Sequence, residues 1–225
     1  MEFDFEKTKE RLMSKNEFSF DDLLDVMRLL RSENGCPWDR EQTHASIRNN
    51  LLEEAYEAVE GIDKNDPGIM REELGDLLLQ VVFHAQIASE SGEFSINDVT
   101  TEICRKLIVR HPHIFADTKV SGSGEVLTNW DKIKYETKGL SDTRSVMEGV
   151  SRALPSLVRA QKLQKRGEKA AKNIGKEKYN DVRAETEAEK IAGEIFALAE
   201  KARKLGIDAE EALEKYNDKF IEANA

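Results

Sequence analysis

Residues 51–82, LLEEAYEAVEGIDKNDPGIMREELGDLLLQVV, decide how this 225-residue chain folds. Apolar residues at Leu51, Leu52, Ala55 and Val59, and again at Leu74, Leu77, Leu78 and Val81, recur at helical spacing, so both flanks predict amphipathic helices. Between them Lys64-Asn65-Asp66-Pro67-Gly68 predicts a turn, because Pro and Gly interrupt a helix while Asn and Asp bond their own backbone. Two helices joined by so short a turn lie antiparallel.

A hairpin centred near Asn65 sets Glu57 opposite Glu73 and Glu54 opposite Asp76, with Glu53 beside them. Glu54 and Glu57 are three residues apart, as are Glu73 and Asp76, so each pair shares a helix face. Converging carboxylates repel one another and rise in pKa unless positive charge sits among them, and only Arg48 and Arg71 are near in sequence. An all-oxygen set suits a hard cation such as Mg²⁺ or Mn²⁺, which keeps waters and meets a substrate phosphate. Solvated acidic helix faces, in a chain with 44 Asp and Glu, are the other reading of the same residues.

The pattern Glu53-Glu54-x-x-Glu57 followed by Glu73-x-x-Asp76 resembles the EExxE…ExxD signature of the MazG family of nucleoside triphosphate pyrophosphohydrolases. Just upstream, Gly35-Cys36-Pro37-Trp38-Asp39-Arg40-Glu41-Gln42-Thr43-His44 is similar to the GCPWDxxQTH segment that opens family domains. The resemblance covers residues 18–138 well and the remainder less faithfully. It implies an all-α helical bundle of the MazG-like type and an enzyme that hydrolyses nucleoside triphosphates to monophosphate and pyrophosphate, cleaning the nucleotide pool. The implied cofactor is Mg²⁺, with Mn²⁺ as a substitute.

The same resemblance implies roles for single residues. Glu54, Glu57, Glu73 and Asp76 become metal ligands, and Glu53 or Glu57 the catalytic base. Lys106 and Arg110 become triphosphate contacts, and Trp130 with Lys134 nucleotide contacts, whereas Trp38, Asp39, Gln42 and His44 border the active site. Family members work as homodimers, for which Leu77 with Val81 and Leu157 with Leu163 are candidate apolar points. A narrower substrate such as phosphoribosyl-ATP, or a non-enzymatic role as a helical regulatory partner, are the alternatives.

Read from the residues alone, Lys106 and Arg110 lie one turn apart, as either a solvated face or a phosphate contact, and Trp130 and Lys134 share a face. Trp38 is either a base-stacking ring or a lid on the core, and His44 either a site residue or a helix-start residue bonded to the loop. His84, alone on an apolar helix, reads as a satisfied core residue. The turn around Asp63 fails as a calcium loop, because its fifth position is Pro67 and its twelfth Leu74. His111-Pro112-His113 reads as a helix stop, with no third soft ligand nearby to make a zinc site.

Composition bounds the rest. A net charge of −10 argues against coating nucleic acid, which requires exposed basic surface. No window of 18 apolar residues predicts a membrane span, and the acidic N-terminus lacks a signal pattern, so the expected location is the cytoplasm. Cys36 and Cys104 form no metal or redox motif.

In chain order, residues 1–17 predict a short helix or a loosely packed arm, and Ser19 with Asp22 a capping box for a helix over 20–33. The hairpin helices follow over 44–63 and 68–91, then a helix over 96–110 capped by Ser95 and Asp98, a Ser/Gly-rich loop over 116–127 and a short helix from Thr128 to about 138. Residues 139–152 read as a polar linker. Residues 153–225 resemble a second copy of the domain that has lost its chemistry, with a helix ended by Gly175, a charged helix over 177–205 and a last helix capped by Asp208. The family's ExxD positions fall there on Lys190 and Gly193, and the expected Arg is Ala223, so this half predicts a platform for packing or dimerisation.

Overall fold

The computed structural model describes residues 3–137, 139, 142–173 and 182–224, and among these every regular element is a helix. They group into two compact units, residues 1–108 and 109–225. The first contains α1 (Phe5–Met13), α2 (Phe20–Arg31), α3 (Pro37–Glu41), α4 (Arg48–Asp63) and α5 (Pro67–Glu90), and α6 (Ile96–Arg110) runs across the division.

The hairpin forms as the pattern predicts. Asn65 takes the left-handed conformation at φ 51°, which asparagine tolerates better than most residues, and Asp66 caps α5 by accepting from the N–H groups of Gly68 and Ile69 at 2.8 and 3.2 Å. Pro67 then enters at the first turn, where its missing N–H costs nothing. Gly61 lets the two helices close, since a Cβ there would stand 2.8 Å from the backbone nitrogen of Met70. Val82 and Phe83 of α5 pack with Met27 of α2 and Ile47, flanked by Leu23, Leu24, Leu79 and Ile87.

The capping box at Ser19 and Asp22 is present, and Asp22 is buried as well. Arg11 and Lys15, from the predicted arm, both bond its carboxylate, so α1 is tied onto α2. Helix α4 begins at Arg48, later than the predicted residue 44. Thr43 and Ser46 exchange side-chain and backbone hydrogen bonds and hold a turn there, a local alternative to helix that both residues favour.

The second unit holds α7 (Pro112–Phe115), α8 (Ser123–Thr137), α9 (Thr143–Glu148), α10 (Ser156–Asn173), α11 (Glu187–Lys204) and α12 (Ala209–Asn224). Three expectations are corrected here. The loop predicted up to residue 127 is already helical from Ser123, because the Glu125 carboxylate accepts from the backbone and hydroxyl of Ser121. The 139–152 linker contains a helix, capped by Asp142 and Ser145. The charged helix starts at Glu187, where Thr186 and Glu189 form a capping box; Gly175 and the first residues predicted for that helix lie outside the described residues.

Helix α10 organises this unit by contacting α9, α11 and α12. Buried Gln164 donates to the carbonyl of Phe196 at 2.6 Å, and Gln161 to those of Ala199 and Ile207 at 3.2 and 3.0 Å, so amides as well as apolar side chains join the helices. Among the described residues no helix is long and apolar enough to cross a membrane.

Candidate metal centre

The close approach of α4 and α5 at Gly61 fixes the register in which their acidic residues meet. Glu54, Glu57 and Glu73 each present a carboxylate oxygen such that all three lie within 4.8 Å of one another, and none of the three is buried. Glu54 is pushed above the ordinary carboxylate range by partial burial and then by the charges of Asp76, Glu57 and Glu73. Glu73 is pushed the same way by burial and then by Glu57, Glu72 and Asp76. The charge of Glu57 acts on both, so it sits between them in the cluster.

Asp76 stands outside the group of three but is the strongest of the charges acting on Glu54, as expected if it faces that residue across the hairpin. Glu53 is exposed and outside the group. Among the described residues, no lysine or arginine forms an ion pair with any of these carboxylates; Arg48 instead bonds Asn49. An oxygen-only donor set, crowded and without a cationic partner among the described residues, fits a hard divalent cation.

The upstream segment is folded by Gly35 and Arg31. A Cβ on Gly35 would lie 2.2 Å from the carbonyl oxygen of Leu29, so only glycine allows the chain to fold back on α2 there. The Arg31 guanidinium, almost fully buried, bonds Glu90 and the backbone carbonyls of Asp39 and Gln42, with Phe83 against its face. Trp38 is 58% exposed on α3 and therefore is not packed as a lid on the core. Asp39 is half-buried, and the Gln42 side chain is engaged internally with the Trp38 carbonyl and the Ser46 hydroxyl.

His44 and His84 meet directly. Their Nδ1 atoms are 2.7 Å apart and their rings stack at 5.0 Å with an angle of 4°. Burial, and then the charge of His44, hold His84 below its ordinary pKa. The reading of His84 as a satisfied core residue is therefore half right: its Nδ1 is paired, but its buried Nε2 has no hydrogen-bond partner among the described residues. Gln80, one turn earlier on α5, was not singled out by the sequence; it is buried, and its Oε1 also lacks a partner among the described residues. The only signal in the sequence was a polar amide inside an apolar run.

The predicted cations and aromatics divide. Lys106 is exposed on α6 in the first unit. In the second, Arg110 is buried with its guanidinium 5.2 Å over the Trp130 ring, whose centroid is 4.9 Å from the edge-on ring of His111. Lys134 is half-buried one turn further along α8.

Comparison with known proteins follows the same residues. A family model described as the MazG nucleotide pyrophosphohydrolase domain matches residues 42–115. The chain is 43% identical over 219 residues to the nucleoside triphosphate pyrophosphohydrolase of Escherichia coli, covering 89% of this chain and 83% of that one. It is 38% identical over 216 residues to the nucleoside triphosphate pyrophosphohydrolase/pyrophosphatase MazG of Thermotoga maritima, covering 90% and 83%. A solved structure of a MazG-related protein from Thermotoga maritima aligns at a TM-score of 0.44 and 25% identity, covering 51% of this chain and 97% of that one.

Proposed function

The chain belongs to the MazG nucleotide pyrophosphohydrolase family, and from that premise we propose that it hydrolyses nucleoside triphosphates to the monophosphate and pyrophosphate at the α4–α5 hairpin. The observation that carries this reading is the convergence of Glu54, Glu57 and Glu73 within 4.8 Å, without a cationic partner among the described residues. These three, with Asp76, hold Mg²⁺ or Mn²⁺ in our reading. A cation bound there would offset phosphate charge and make the departing pyrophosphate less basic.

The remaining steps belong to side chains of the protein. Glu53 or Glu57 takes the proton of the attacking water: Glu57 has the central place in the cluster, whereas Glu53 is the exposed carboxylate next to Glu54. Lys106 and Arg110 contact the triphosphate, and Trp130 and Lys134 the nucleotide. Trp38, Asp39, Gln42 and His44 border the site, with Trp38 exposed enough to stack on a base.

The protein acts in the cytoplasm as a homodimer. Leu77, Leu157 and Leu163 are half-buried within their own units, so the apolar surface we assign to the partner is Leu74, Leu78 and Val81 of α5 with Leu52, Tyr56 and Val59 of α4, all exposed. Residues 153–225 serve packing or dimerisation. A monomeric mass by light scattering at working concentration would remove the dimer.

Incubation with each nucleoside triphosphate and Mg²⁺, followed by product separation, tests the reaction. Pyrophosphate and monophosphate should appear, and should vanish with EDTA and in Glu57→Gln and Asp76→Asn. Release of orthophosphate and diphosphate, or retained turnover in both variants, would overturn the reading.

A further inference from the structure

Glu73, Asp76, Gln80 and His84 follow one another on α5 at spacings of three, four and four residues, so all four lie on one face of the helix. The first two belong to the carboxylate end. The second two each leave a buried polar atom without a partner among the described residues: Oε1 of Gln80, a residue only 6% exposed, and Nε2 of His84. Buried polar atoms are nearly always paired, and an unpaired one costs the free energy of its lost hydration. Two such atoms one turn apart, continuing the line of the carboxylates, mark a place built for a polar ligand.

The chemistry of that ligand follows from the atoms left open. Gln80 Oε1 only accepts, and phosphate oxygens also accept, so the group that satisfies it comes from another part of the substrate. At His84 the 2.7 Å contact between the two Nδ1 atoms requires one ring to donate and the other to accept. When His84 accepts through Nδ1, its proton resides on Nε2, which then donates. An acceptor and a donor one turn apart complement the edge of a nucleobase, where an N–H or amino group neighbours a carbonyl or ring nitrogen.

We propose that Gln80 and His84 form the base-recognition subsite of this enzyme, with His44 as the positioning residue that fixes the His84 tautomer. The proposal rests on the reaction assigned above. Gln80 accepts from the base N–H or amino group, and His84 Nε2–H donates to the neighbouring acceptor. The carboxylates and the subsite then divide the substrate, phosphates at one end of the α5 stripe and base at the other.

The test is calorimetric binding, with Mg²⁺ present, of the two products separately: each nucleoside monophosphate, in ribo and deoxyribo form, and inorganic pyrophosphate. Gln80→Met, close in size but unable to accept from the base, should weaken binding of the best-bound monophosphate by about tenfold or more while pyrophosphate binding changes less than about twofold. Gln80→Asn, which keeps the amide but shortens its reach, should weaken the same ligand and serves as the second variant if Gln80→Met fails to fold. His44→Phe should reduce discrimination among bases more than it reduces pyrophosphate binding. Unchanged monophosphate binding in the folded variants, equal losses for monophosphate and pyrophosphate, or a loss confined to ribonucleotides would each overturn the base assignment. Monophosphate binding that depends on Gln80, in a protein that releases no pyrophosphate from any triphosphate, would uphold the subsite and sink the assigned reaction instead.

Discussion

The guanidinium of Arg31, at the end of α2, grips the Glu90 carboxylate at the end of α5 through two parallel hydrogen bonds, Nε to Oε1 at 2.9 Å and Nη2 to Oε2 at 2.7 Å. Its remaining donor serves the carbonyls of Asp39 and Gln42, so one side chain joins α2 and α5 to the segment of α3 and the following turn that carries Trp38 and His44. The loop that borders the candidate site is thereby fixed to the core rather than left to hang from it.

Arg31→Met keeps much of the aliphatic volume but removes all of these bonds. It should lower stability by about 2 kcal/mol, since two backbone carbonyls and a carboxylate lose a buried, charged donor. Denaturant melts followed by circular dichroism measure the loss, and limited proteolysis should cut within residues 35–46 earlier than in the wild type. Unchanged melts and unchanged cleavage would show that the loop is held by other contacts.

Gly61→Ala sets helix propensity against sterics. Alanine gains about 1 kcal/mol in a helix interior, but its Cβ meets the backbone of Met70 at 2.8 Å, and backbone cannot rotate aside. The collision should prevail, with a net destabilisation of about 1 to 3 kcal/mol. Because the hairpin must spread, Mg²⁺ affinity should fall as well, although Gly61 carries no ligand. A variant as stable as the wild type with intact metal affinity would mean that the helices slide at no cost.

Asp22 is held well below the ordinary aspartate range by its bond from Lys15 first, then by Ser19 and Arg11. A carboxylate whose pKa is depressed on folding contributes stability that is fully present above its unfolded value, near 3.8, and is lost as pH falls from there. Thermal melts of wild type and Asp22→Asn should therefore differ at pH 6 and converge below about pH 4. A gap that stays constant across that window would assign the effect to packing instead of charge.

Crowding of like charge makes the hairpin carboxylates unfavourable to the apo fold. Glu73→Gln removes one charge from the cluster and should raise the melting temperature without metal, while abolishing the rise that Mg²⁺ gives the wild type. At a Mg²⁺ concentration about a hundredfold above its Kd, that rise corresponds to about 2.7 kcal/mol. Calorimetric melts with Mg²⁺ and with EDTA read both effects, and a Glu73→Gln protein that still gains stability from Mg²⁺ would remove Glu73 from the ligand set.

What the sequence determined by itself is the hairpin and its chemistry. Apolar spacing, the Asn65-Asp66-Pro67 turn and the paired three-residue intervals of Glu54/Glu57 and Glu73/Asp76 are local, so geometry within two helices was enough to place three carboxylates together. Caps hidden in Ser- and Thr-rich segments escaped it: Ser121 with Glu125 starts α8 early, and Thr43 with Ser46 delays α4, because one hydroxyl can either begin a helix or compete with it. Only the tertiary structure decided which polar groups are left without partners. Gln80 and His84 look like ordinary residues of an apolar helix until the fold buries Gln80 and brings His44 against His84. Burial is a property of everything packed against a residue, and no spacing within α5 carries it.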